Sequence, residues 1–242
     1  MDSSSKNLLF EGEGTDASSY KQEWIEIQEN LKQKVVLEDD FTWIISPQSS
    51  CLDQVGDDEG LKYIGGVDVS FVKEDPSLAC GALVAPIILE ILDKMKQRAH
   101  PFYPQLLMVD GNGILHPNGF GLACHLGVLS NIPAIGIGKN LHHVDGLNQS
   151  EVRQFLEAEE NSTKNVIPLV GKSGQTWGAA MRSTPDSLKP IYISPGHRIS
   201  IDSSVRIVKL CCKFRVPEPI RQADIRSRLF LQNLGGSGNL TI

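Results

Sequence analysis

The feature that most constrains the fold of this chain is an apolar run that ends in an aspartate followed by glycines. Residues 106–109 are apolar without interruption, Asp110 follows them, and Gly111, Asn112 and Gly113 come next. This order predicts a buried strand that gives way to a loop, with the Asp110 carboxylate at the C-terminal tip of the strand. Ligands bind at that edge of an open α/β sheet, and glycines let the backbone approach something flat or anionic. In the alternative interpretation, the loop is an ordinary glycine-rich turn and Asp110 only caps the following helix.

The length and composition of the chain predict one soluble domain. Its 242 residues contain no repeat that argues for two domains, and 40% of them are hydrophobic and 21% charged. No apolar run reaches the roughly 18 residues of a membrane helix, and five irregularly spaced cysteines favour reduced thiols. The net charge of -6 gives no global basic field, so contacts with nucleic acid would need a local basic patch and bound cations.

The hydrophobic pattern predicts an α/β fold between two irregular ends. We predict a disordered leader at 1–18, a folded domain at 19–232 and a flexible tail at 233–242. The early predicted elements are a helix at 20–36, a half-buried strand from residue 63 with Asp68 in its middle, a short strand at 79–85 and a helix opened by Pro86. The later ones are a helix at 123–129, a strand from 133 ending at Lys139, a helix or insertion at 151–160, a hairpin of 166–170 with 176–182, a strand at 191–194, a helix from about 200 and a basic terminal helix.

Two aspartates on neighbouring predicted strands are the first candidates for chemistry. Asp68 and Asp110 would together form a seat for a hard divalent cation, of which Mg²⁺ is the first expectation. Such an ion lowers the pKa of bound water and neutralises a scissile phosphate, so the implied chemistry is phosphodiester hydrolysis. The alternative is that Asp68 simply pairs with a nearby cation.

Other polar residues have both a functional and an ordinary interpretation. His197 follows Pro195 and Gly196 in a predicted loop, where an imidazole can bind metal or steer water, although most lone histidines are structural. Lys139 could hold a phosphate, and His116 with its glycine loop could border a base pocket. A basic cluster could follow a nucleic-acid backbone or form a solvated helix face; it comprises Arg215, Arg221, Arg226 and Arg228.

Several long motifs, taken in order, resemble the endonuclease V family in its animal branch. They are GGVDVSF at 65–71, VDGNGILHPNGFGLACHLGVL at 109–129, GIGK at 136–139, YISPGHRIS at 192–200 and PEPIRQAD at 217–224. The resemblance implies an RNase H-like mixed sheet flanked by helices. It also implies Mg²⁺-dependent cleavage, with Mn²⁺ as a substitute, of the second phosphodiester bond 3′ to inosine. The implied partners are inosine-containing RNA and deoxyinosine DNA, and we expect a monomer without membrane contact in the cytoplasm and nucleus, including the nucleolus.

The resemblance also assigns roles to individual residues. Asp68 and Asp110 correspond to metal ligands, His197 to an active-site histidine and Lys139 to a phosphate contact. The hypoxanthine pocket corresponds to the 111–121 loop, with the substrate-binding residues Gly111, Asn112, Gly113, His116, Gly119 and Gly121.

The sequence departs from the family between the first strand and the helix before residue 106. The family has further antiparallel strands there, a base-wedge motif and a metal-binding Glu, whose position is Val84 in this chain. Glu90 lies six residues further on, about 240° around a helix, so it should point elsewhere. The truncation predicts weak activity, and the rival hypothesis is a noncatalytic protein that binds inosine-containing nucleic acid.

Overall fold

A six-stranded mixed sheet forms the centre of the fold. The computed structural model describes residues 17–45, 60–68, 81–158, 165–184, 187 and 189–236. The strands are β1 Ile64–Val67, β2 Leu106–Asp110, β3 Ala134–Gly138, β4 Val166–Val170, β5 Thr176–Met181 and β6 Ile191–His197. Their order across the sheet is β1-β2-β3-β6-β5-β4. The first three strands are parallel, and β6, β5 and β4 continue the sheet in antiparallel pairs.

Helices flank this sheet on both faces. They are α1 Ala17–Lys32, α2 Gly81–Gln97, α3 Leu122–Ser130, α4 Gln149–Glu157, α5 Ile201–Cys211 and α6 Glu218–Gly236. Successive residues of a strand point to opposite faces, so β2 feeds two cores. Leu106 and Met108 pack with residues of α5 and α6, whereas Leu107 and Val109 pack with α2 and α3. Among the described helices, none is both long and apolar enough to cross a membrane.

Most of the elements predicted from the sequence are confirmed. The helix at 123–129, the strand before Lys139 and the hairpin all form where they were predicted. The ambiguous 151–160 segment is a helix at Gln149–Glu157, because Val152 and Leu156 bury one face of it.

Three differences from the prediction change where residues near the site lie. Residues 81–85 form the start of α2 rather than a strand, and Pro86 lies inside this helix. The physical reason is that Ala85 and Leu92 lie on one helical face and pack against the α2 side of the sheet. Asp68 directly follows β1 rather than lying in mid-strand, and β6 extends through His197.

The predicted leader and tail fall mostly outside the described residues. Ala17 and Ser18, which close the predicted leader at 1–18, belong to α1. Residues 233–236, which begin the predicted tail, belong to α6. Residues 69–80, which include the rest of the predicted first strand and the start of the predicted 79–85 strand, also lie outside the described part.

Candidate active site

Three charged residues meet at the C-terminal edge of the parallel strands. The register pairs Val67 with Val109, so the next residues along, Asp68 and Asp110, are neighbours. Asp110 pairs with Ile137 of β3, and Lys139 follows two residues later, just beyond the strand. Parallel strands end at the same edge of a sheet, and a charged residue is the last of β2 or directly follows β1 and β3 there. The structure therefore brings together Asp68, Asp110 and Lys139.

The two carboxyl groups share a hydrogen bond. Asp68 is partly buried, and its side chain is hydrogen-bonded to that of Asp110. Burial, this hydrogen bond and the charges of Asp110 and Asp224 raise the pKa of Asp68 to about 6, against the opposing effect of Lys139. Two carboxylates within hydrogen-bond reach of each other repel unless a proton or a cation lies between them. The pair is thus a site that favours binding of positive charge.

Lys139 supplies a cation beside the pair. Its Nζ lies 2.5 Å from Oδ2 of Asp110. The Lys139 side chain is 44% exposed, whereas that of Asp110 is 18% exposed. The ammonium group is therefore open to solvent, and the carboxylate that it contacts is more buried. An ammonium group has three donors, and one ion pair leaves others for a ligand oxygen.

Asp224 is a further acidic residue of the site that sequence reasoning missed. Helix α6 approaches β1 so closely that a Cβ on Gly66 would collide with the carbonyl oxygen of Pro219. Ala223 and Asp68 line the same groove, and the charge of Asp224 acts on Asp68. Asp224 looks like one more polar residue of a solvated helix in the sequence. The signal that could have found it is its place at the end of the PEPIRQAD motif.

The carboxylate pair fits a hard divalent cation. Within the described ranges, no group of three or more His, Cys, Asp or Glu side chains is placed to hold one ion. Asp68 and Asp110 form a hydrogen-bonded pair of carboxyl groups here, and Asp224 adds a further negative charge that acts on Asp68. Mg²⁺ is commonly bound by one or two carboxylates together with water and substrate phosphate, so this donor set suits it.

His197 does not lie with these residues, contrary to the prediction. β6 runs antiparallel to β3, and His197 pairs with Ala134 at the start of β3. The C-terminal tip of β3, where Lys139 follows, is at the other edge of the sheet. His197 is buried, burial lowers its pKa, and its Nδ1 accepts a hydrogen bond from the Val36 backbone N–H at 3.3 Å. It anchors the segment after α1 to the sheet.

The 111–121 loop packs tightly against the sheet. A Cβ on Gly113 would collide with the carbonyl oxygen of Pro195, and one on Gly121 with that of Asn112. The space on the Cβ side of these two glycines is filled by the chain's own backbone, so no ligand can approach them from that side. Gly111 bridges β3 through its N–H, and Gly119 has a φ of +64°, which glycine adopts readily.

Two substrate-binding candidates of this loop carry polar side chains. The Oδ1 of Asn112 is buried without a hydrogen-bond partner among the described residues, and a Cβ on Gly138 would lie 2.6 Å from it. His116 is partly buried, with its ring 6.1 Å from that of His142 in the loop after β3. Burial and His142 lower the pKa of His116, so its ring is neutral near pH 7. His116 thus lies between the two loops that follow β2 and β3.

The position of the missing Glu lies in helix α2. The backbone of Val84 belongs to this helix, and its side chain lies outside the described part. Glu90 is exposed and its Oε1 lies 2.6 Å from the Lys94 ammonium group, which lowers the pKa of Glu90. Glu90 therefore pairs along the helix surface, as its helical position predicts, and does not replace the missing ligand.

Comparisons with known proteins agree with this architecture. A family model described as Endonuclease V matches residues 85–225. Mouse Endonuclease V is 38% identical over 88% of this chain and 70% of its own length, and human Endonuclease V is 38% identical over 85% and 81%. The solved catalytic domain of human Endonuclease V has a TM-score of 0.78 at 35% identity and covers 91% of this chain and 99% of its own.

A second solved structure contains nucleic acid. It is Endonuclease V of Ciona intestinalis in complex with a 24mer DNA that contains an inosine followed by a ribo-adenosine. Its TM-score is 0.75 at 29% identity, over 90% of this chain and all of its own. The mixed sheet flanked by helices is therefore the RNase H-like fold of nucleases that act on phosphodiester bonds. Within this class, the chain belongs to the Endonuclease V family.

Proposed function

We propose that this chain is a Mg²⁺-dependent endonuclease that cleaves the second phosphodiester bond 3′ to inosine, chiefly in RNA and secondarily in DNA. The observation that carries the proposal is the Asp68–Asp110 pair with Lys139 beside it at one edge of the sheet. The inosine-containing DNA bound to the Ciona relative supports the choice of nucleic acid. We further propose that the chain acts as a monomer.

The two carboxylates and the lysine would have different roles at the scissile bond. Asp68 and Asp110 would hold Mg²⁺, which when bound lowers the pKa of water and neutralises phosphate charge. Asp110 also fixes the direction of the Lys139 ammonium group through their 2.5 Å contact. Lys139 can then donate to a phosphate oxygen while the carboxylates orient the reacting groups.

The loop after β2 would receive the flipped inosine base. Its backbone is held to β3, β6 and itself, with Gly113 N–H donating to Ser194 Oγ at 2.9 Å and Gly121 N–H to the Gly113 carbonyl at 3.0 Å. Because these hydrogen bonds already hold the loop in place, it needs little reorganisation when a base binds. Neutral His116 at the border of the loop can exchange hydrogen bonds with the base without adding charge.

We expect a low rate of cleavage. The sequence has Val84 where the family resemblance places a metal-binding Glu, so the Asp68–Asp110 pair lacks that ligand. Loss of one positioned electrostatic group commonly costs about 10²–10³ in rate. The missing wedge would also weaken capture of the extruded base.

A noncatalytic inosine-binding protein is the second candidate, favoured by Val84 at the position of the missing Glu. The two functions separate when purified protein is incubated with matched RNAs that contain either inosine or adenosine, with Mg²⁺ or with EDTA. Mg²⁺-dependent cleavage of the inosine RNA supports the endonuclease. Selective binding of inosine RNA without cleavage supports the binding protein. If the protein neither binds nor cleaves inosine RNA in preference to adenosine RNA, both functions are overturned.

A further inference from the structure

The arginines of the predicted basic cluster have different surroundings in the structure. The Arg215 guanidinium donates to three backbone carbonyl groups, those of Lys139, Lys189 and Pro190. It therefore holds together the loops near the start of β6. Arg226 is exposed on α6 and lines a groove with Lys213. Neither side chain contacts a carboxylate of the site.

Arg228 differs because it is bound to a carboxylate of the site. Its Nε lies 2.6 Å from Oδ1 of Asp224, and the Arg228 side chain is 69% exposed. Over the ranges that the structure describes, this is its single hydrogen bond. A guanidinium has five N–H donors, so the two terminal nitrogens keep four of them for a ligand.

Arg221 on the same helix provides a contrast. It donates from both Nε and Nη2 to the two carboxylate oxygens of Glu218, at 2.7 and 2.6 Å. Its guanidinium also lies 4.7 Å from the centre of the Phe214 ring. Glu218 therefore occupies the Nε–Nη2 side of Arg221, whose side chain is 33% exposed, whereas both terminal nitrogens of the 69% exposed Arg228 remain available.

The position of Arg228 completes a row of charges across the edge of the sheet. Helix α6 packs on β1, where Ala223 lines the same groove as Asp68, so Asp224 and Arg228 lie on the β1 side. Lys139 lies on the β3 side, beyond Asp110. Neighbouring strands are about 4.8 Å apart, so β1 and β3 are separated by about 10 Å. Lys139 is thus paired with Asp110, and Arg228 is paired with Asp224, the acidic residue whose charge acts on Asp68.

We propose that Arg228 binds a phosphate of the nucleic-acid strand, on the opposite side of the carboxylate pair from Lys139. Nε remains on Asp224, and the two terminal nitrogens bind the phosphate oxygens as a fork. This inference rests on the proposed function, because it requires a strand that crosses the pair. The inference predicts that the nucleic-acid strand is bound by a cationic side chain on both sides of the bond that is cut.

The test measures the Kd of the 242-residue chain for a labelled inosine RNA and for a deoxyinosine DNA of the same sequence, with Ca²⁺ as the added ion. Arg228→Gln should raise Kd about tenfold on both. It should also reduce the slope of log Kd against log salt concentration by about 0.7, the value of one contact to a single strand. Arg228→Lys should keep the slope and lose part of the affinity, because the charge stays and the fork is lost.

Arg221→Gln is the matched control, since it removes the same charge and an ion pair from the same helix. It should change neither Kd nor the slope, and thermal unfolding of each variant verifies that it is folded. Unchanged binding by Arg228→Gln, or an equal loss in Arg221→Gln, overturns the inference. If Arg228→Gln does not fold, Arg228→Lys decides, because wild-type affinity there contradicts the fork. If the wild-type chain cleaves inosine RNA but Arg228→Gln binds as tightly as wild type, the proposed function stands and this inference fails. If the wild-type chain binds neither the RNA nor the DNA, both are overturned.

Discussion

At the residue scale, the site is governed by the burial of Asp68 beside Asp110. Burial raises the pKa of Asp68 to about 6, together with the hydrogen bond to Asp110 and the charges of Asp110 and Asp224. Because the folded pKa lies above the unfolded value of 3.8, protonated Asp68 stabilises the fold below pH 3.8, and this contribution is lost as the pH rises through about 6. Mg²⁺ competes with the same proton, so its affinity should rise with pH up to about 6 and then level off.

Two substitutions should move the pKa of Asp68 in opposite directions. Asp110→Asn removes a neighbouring negative charge and should lower this pKa, whereas Lys139→Gln removes a positive charge and should raise it above about 6. Titration of the Asp68 carboxyl carbon by NMR, without added metal, measures both shifts. Glu90→Gln is the control, because Glu90 pairs with Lys94 on the surface of α2. Shifts of the same sign in the two variants would contradict this arrangement of charges.

The sequence predicted the site residues unevenly, for physical reasons. Asp110 and Lys139 each follow an apolar run, a pattern that places a residue at a strand tip whatever the rest of the fold. His197 was placed wrongly because Pro195 and Gly196 are typical of a loop, yet β6 continues through them. Asp224 was missed because its neighbour in space belongs to a strand far away in the chain.

At the element scale, the contact between α6 and β1 positions Asp224. Gly66 lies where the backbone of Pro219 is too close for any side chain. Gly66→Ala should therefore push α6 away, lower the free energy of unfolding by about 1–3 kcal/mol, and weaken nucleic-acid binding. Chemical denaturation and RNA binding measure the two effects. Gly60→Ala is the control, because nothing lies within 4 Å of its added Cβ. Equal stability of the two variants would contradict the close contact.

The element predictions failed where one pattern allows two structures. The apolar run from 81 fits a buried strand and a helix equally well, and only the common face of Ala85, Ile88 and Leu92 against the sheet decides for the helix. The hairpin was predicted correctly because Gly171 and Gly174 lie between two β-rich runs, and Gly174 has a φ of +83°.

At the scale of the whole molecule, the outer side of the sheet next to α2 carries exposed apolar surface. In the part of the sheet that the structure describes, β1 is the edge strand on this side and β4 is the edge strand on the other. Ile87, Ile91 and Phe102 nearby are 60%, 53% and 61% exposed. Exposed strand edges and apolar patches favour association and reduce stability.

We therefore expect this chain to be less stable than mouse Endonuclease V and to bind a hydrophobic dye. The physical reason is that apolar surface beside β1 stays in contact with water. Thermal unfolding and dye fluorescence, on both proteins in the same buffer, measure this. Ile87→Lys with Ile91→Lys should reduce dye binding, whereas Phe155→Lys, on α4 away from β1, should not. Equal melting temperatures with no dye signal would contradict the expectation.

The measurement that tests the central claim most directly is single-turnover cleavage of an end-labelled RNA that contains one inosine. With Mg²⁺, the wild-type chain should release one fragment, cut at the second phosphodiester bond 3′ to the inosine, at a low rate. Asp110→Ala should reduce that rate by at least about 10²–10³, because a carboxylate of the pair is lost. Cleavage that continues in EDTA, or that is equally fast in Asp110→Ala, would contradict a metal-dependent site at Asp68 and Asp110.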